Sequence, residues 1–136
     1  KKEINSENET ISLSKVASLL IHCAKIDENF TEKEEEIIKK TLIELGAKNS
    51  DIDKLILDSK IIEQKSNQLL DFTKEIKNMS QSEKIKIIES LWKIIYSNND
   101  ADMYETNLMR RLAGLLYIDS KTMGELKEKV KNQLIK

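Results

Sequence analysis

The chain has 136 residues, room for one domain around one core, and its formal net charge of −1 removes the electrostatic argument for nucleic acid or an anionic membrane as a partner. It holds no Pro and three Gly, so long helices are permitted almost everywhere. With 35% charged and 4% aromatic residues, the expected build is a core of Ile and Leu under thin, solvated helix faces.

Residues 1–10 are polar and are expected to form a flexible N-terminal segment, with a single domain over 11–136. From Ile11 the pattern turns helical. Leu13, Val16, Ala17, Leu20, Cys23 and Ala24 recur at steps of three and four. After the polar turn "DENF", a second stripe runs through Ile37, Ile38, Thr41, Leu42 and Leu45, and Gly46 stands where a C-terminal cap belongs. Glu35–Lys39 and Glu36–Lys40 are spaced as ion pairs on its wet face.

Ser50 opens a third helical segment with Ile52, Leu55, Ile56 and Ile62 on its apolar side. A fourth, weaker segment holds Leu69, Leu70, Phe72, Ile76 and Met79. Ser80 caps a strongly apolar helix through Ile85, Ile87, Ile88, Leu91, Trp92, Ile94 and Ile95, which reads as central. Leu108, Met109, Leu112, Leu115 and Leu116 mark the sixth helix, and Met123, Leu126, Val130 and Leu134 the last. Nothing alternates with period two over a useful length. The fold class is therefore all-α, a compact bundle of about seven short helices.

One cysteine, Cys23, excludes an internal disulfide and predicts a reducing, cytoplasmic setting. No apolar run approaches the roughly 18 residues of a membrane span. The chain begins at Lys1 and not at Met, so an upstream segment is expected, with room for targeting or anchoring.

A shift of 71 positions places Asp27 on Asn98, Glu34 on Glu105, Leu20 on Leu91, Ile38 on Met109 and Leu45 on Leu116. One helix–turn–helix is used twice, over residues 11–46 and 83–117. In the first copy, Thr31-x-x-Glu34 spells a capping box, and Asp102-x-x-Glu105 and Ser80-x-x-Glu83 spell two more. Asp27, Glu28, Asn29, Glu32 and Glu34 also form an oxygen-rich cluster of the kind hard cations prefer. Both readings of Glu34, helix cap and cation ligand, stay open. An EF-hand is excluded: Asn98, Asp100 and Asp102 fit its first three ligand positions, but Met103 replaces the required Gly and Met109 the bidentate Glu. Glu32 and Ile38 fail the same test in the first turn.

A helix, an Asp, a short turn, a Glu seven residues on and a second copy later resemble the bacterial TerB family of small all-helical domains, and "ADMYETNLMRRLAGLL" is particularly similar to its stand-alone members. The resemblance covers roughly residues 11–125. It implies a duplicated helical fold, metal binding through acidic residues of the two turns, and action with membrane-bound partners in metal stress. On this chain the implied metal positions are Asp27, Glu34, Asn98 and Glu105. The sequence departs from the pattern where Asn98 replaces the second Asp, and where Glu28 and Asn99 replace the Gly after it.

The expected function is a non-enzymatic, metal-linked accessory of a stress or tellurite-resistance-type system, with Ca²⁺ or Mg²⁺ as the ion because thiolate and imidazole are lacking. The alternative is a protein-interaction adaptor or co-chaperone-like module that binds no metal. A membrane-bound or cytosolic protein is the expected partner, and nucleic acid is not. The expected location is cytoplasmic, at the inner membrane face where the partner is membrane-bound. Elsewhere, His22 reads as a surface residue, Cys23 and Trp92 as core, Tyr96, Tyr104 and Tyr117 as rim contacts, and Arg110 and Arg111 as local ion-pairing groups.

Overall fold

The structure, a computed structural model, describes residues 2–25, 31–65, 69–97 and 103–135, the side chains of 2–12, 103–106 and 134–135 excepted. Among the described residues there are seven α-helices and no strand: α1 (Lys2–Ala24), α2 (Glu32–Glu44), α3 (Ile52–Lys65), α4 (Leu69–Ile76), α5 (Gln81–Tyr96), α6 (Met103–Leu116) and α7 (Ser120–Ile135). A single 3₁₀ turn, Asn49–Asp51, leads into α3. The helix of the first segment starts at Lys2 and not at Ile11. No Gly or Pro stands before the first turn to stop it, and polar residues are no bar to helical backbone.

The 71-residue shift reappears in the backbone. It carries α2 onto 103–115 and the end of α1 onto residue 95, each within one residue of the observed bounds of α6 and α5. Both second helices also stop in the same way. Gly46 N–H donates to Ile43 O and Ala47 N–H to Leu42 O; Tyr117 N–H donates to Gly114 O and Ile118 N–H to Ala113 O. Each is a Schellman cap, and each donor and acceptor in one lies 71 positions from its counterpart. The correspondence runs further than residues 11–46 and 83–117. It brings α3 onto α7, with buried Ile52 on buried Met123 and buried Ser59 on buried Val130. In both halves the third helix packs mainly on the first, α3 on α1 and α7 on α5. α4 is the element outside the repeat, and it packs against α1 and α6.

α1 and α5 share the centre: α1 touches α2, α3, α4 and α5, and α5 touches α1, α2 and α7. Leu20, Cys23, Ile38, Leu42, Ile88, Leu91, Trp92, Ile95, Leu112 and Leu116 are all buried, as their spacing predicts. Of the apolar residues of the fourth segment, Leu70 is 53% exposed. α4 buries Leu69, Phe72, Thr73 and Ile76, and Leu70 falls outside that face of the helix. Two polar contacts sit inside the packing. Thr41 on α2 and Ser90 on α5 share a hydrogen bond between their hydroxyls. Ser18 Oγ lies 3.2 Å from the backbone oxygen of Ser59, a close approach of α1 to α3 that small side chains allow.

Candidate functional site

The connection between α1 and α2 leaves the first helix at Lys25 and enters the second at Thr31. Thr31 has extended backbone (φ −86°, ψ 162°) and caps α2. Its Oγ1 accepts from Glu34 N–H at 3.1 Å, and its own N–H donates to Glu34 Oε1 at 2.8 Å. The reciprocal pair satisfies two amides that the helix leaves without partners. Ser80 and Glu83 build the same box at the start of α5. The two boxes differ in burial. Glu83 is half-buried, whereas Glu34 is 0% exposed. A cap does not require that burial, and a carboxylate is costly to remove from water.

A second carboxylate lies beside the same end of α1. Glu63 on α3 is buried, and its two oxygens are held from α1: Lys25 Nζ donates to Oε1 at 2.7 Å, and His22 Nδ1 lies 3.1 Å from Oε2. A carboxylate only accepts, so the imidazole carries its proton on Nδ1. Burial opposes ionisation of Glu63 more than any other single cause. The hydrogen bonds from Lys25 and His22, with the attraction of their charges, together outweigh it, and the carboxyl sits below its ordinary range. His22 is thus a bridging residue and not a plain surface one, with the Phe72 ring of α4 centred 5.3 Å from its own. Further along, Glu35 takes Lys39 at 3.6 Å and Lys60 at 3.1 Å, and Lys39 also reaches Asp53 at 3.2 Å. These exposed or half-exposed pairs tie the outer faces of α2 and α3. Glu35–Lys39 forms as its spacing predicts, and Glu36 and Lys40 are not among the described ion pairs.

Of the four expected metal positions, Glu34 is placed as the buried cap at the turn's exit. Asp27 and Asn98 lie outside the described residues, as does Asp102, the expected cap of α6. Glu105 lies in α6, its side chain outside the description. Among the described residues no group of three or more His, Cys, Asp or Glu side chains is arranged to hold a metal ion. Among them, too, no helix is long and apolar enough to cross a membrane.

Glu63 carries no motif, yet its spacing holds a signal. Ile52, Ile56, Ser59 and Glu63 step by four, three and four, so Glu63 continues the buried stripe of α3. Lys84 continues the stripe of Ile88, Leu91 and Ile95 in the same rhythm and is buried, donating to Leu116 O at 3.0 Å.

Two copies of one helical unit, matched in the bounds of their helices and in the Schellman caps that end α2 and α6, define a small all-helical domain with internal duplication. A family model described as Tellurite resistance protein TerB matches residues 13–128, and the chain belongs to that family. No curated protein and no solved structure matches the chain.

Proposed function

We propose that this TerB-family chain is a non-enzymatic, metal-linked accessory domain of a bacterial stress or tellurite-resistance-type system. In this reading the α1–α2 turn takes a hard cation, Ca²⁺ or Mg²⁺, through Asp27 and Glu34, and the α5–α6 turn is a weaker counterpart at Asn98 and Glu105. The domain works in the cytoplasm with a protein partner, membrane-bound or cytosolic. The observation that carries the reading is the complete burial of Glu34 at the exit of an acidic turn, where the matching cap at Glu83 stays half-buried. The test is a calcium and magnesium titration followed by backbone NMR. Saturable shifts confined to residues 26–35, and lost in Asp27→Asn, are expected. A flat titration at millimolar ion leaves Glu34 as a helix cap and nothing more.

A protein-interaction adaptor without metal is the second reading. It is favoured by Leu57 and Ile61, 61% and 45% exposed and one turn apart on α3. Loss of a captured partner on Leu57→Glu, with cation binding absent, is the outcome that selects it.

A further inference from the structure

We draw no further inference here: the strongest candidate, the exposed Tyr117 ring over the buried Lys84 at the corner between α6 and α7, is a surface patch for which nothing in the structure shows what covers it.

Discussion

Gly46 and Tyr117 occupy the same place in the two halves of the chain, and both have positive φ, 116° and 59°. Each is the residue at which a second helix of the repeat turns out of its last helical turn. Only one of them is glycine. For an L residue the left-handed region costs about 1–2 kcal/mol, so the second copy carries a strain that the first avoids. The Tyr117 ring lies over Lys84 Nζ, 5.6 Å from its centroid, and such a contact offsets about 0.5–1 kcal/mol at an exposed site.

Gly46→Ala is therefore expected to destabilise the domain by about 1 kcal/mol. A Cβ at Gly46 meets nothing within 4 Å, so the loss is one of backbone conformation and not of space. Gly124, inside α7, also has open space around it and no positive φ. Gly124→Ala should change stability in the opposite direction, by about 0.5–1 kcal/mol. Urea midpoints of the two variants against the parent check both signs, and a stabilising Gly46→Ala contradicts the cap assignment.

The two capping boxes are expected to differ in weight. Ser80→Ala removes a solvent-facing cap and should cost about 1 kcal/mol. Thr31→Ala removes the same bonds, including the hydroxyl's donation to the glutamate, from a carboxylate with no exposed surface. It should cost more, about 2 kcal/mol, at the upper end of the range for caps. Thermal denaturation of both variants at one pH gives the ranking, and equal losses show that the burial of Glu34 adds nothing to the cap.

Leu91 is fully buried on a central helix, and Leu91→Ala should cost about 2–5 kcal/mol through lost burial and the cavity left behind. A loss below about 1 kcal/mol, measured by chemical denaturation, means that α5 is not at the centre of the packing with α1.

Most of this architecture is legible in the sequence because it rests on apolar periodicity. Leu20, Ile38, Leu91 and Leu112 each sit on a stripe that has only one way to face inward. The repeat is legible for the same reason, since Leu20 and Leu91 do equivalent work in equivalent helices. Its third helix is harder to see. Ser59 and Val130 share a position, but one is polar, and only the packing of α3 on α1 and α7 on α5 equates them. The candidate site is less legible, because charge signals do not say whether a side chain is in or out. Glu34 and Glu83 have the same local motif and different burial. Glu63 looks like one more surface acid until Lys25 and His22 arrive from a helix about 40 positions away.

Glu63 links stability to pH with a definite sign. Its folded value lies below the ordinary range of a glutamate carboxyl, so its contribution is fully present above the unfolded value. That contribution is lost as pH falls through the lower folded value. Glu63→Gln should therefore lose stability at neutral pH and converge on the parent in acid. Urea unfolding of both proteins at pH 7 and near pH 3 tests this. A difference that stays constant across that span removes the ion pairs with Lys25 and His22 from the account.

The two turns should rank by charge if the cation reading holds. Asp27 brings a full negative charge and two oxygens, whereas Asn98 offers one neutral carbonyl oxygen. Affinity for a hard cation falls as charged ligands are lost, so the first turn should fill at lower calcium or magnesium than the second. Asn98→Asp restores the missing charge at the matched position, without touching the first copy. It should give residues 97–106 a saturable response that the parent shows only at higher ion concentration. Asp27→Asn should do the reverse at residues 26–35. The double variant should exchange the ranking of the two turns, because each carries the other's side chain at the same place in the repeat. Backbone NMR titrations of the four proteins read both turns in one experiment. A second turn that fills first in the parent, or an Asn98→Asp chain that responds no better than the parent, sinks the charge ranking.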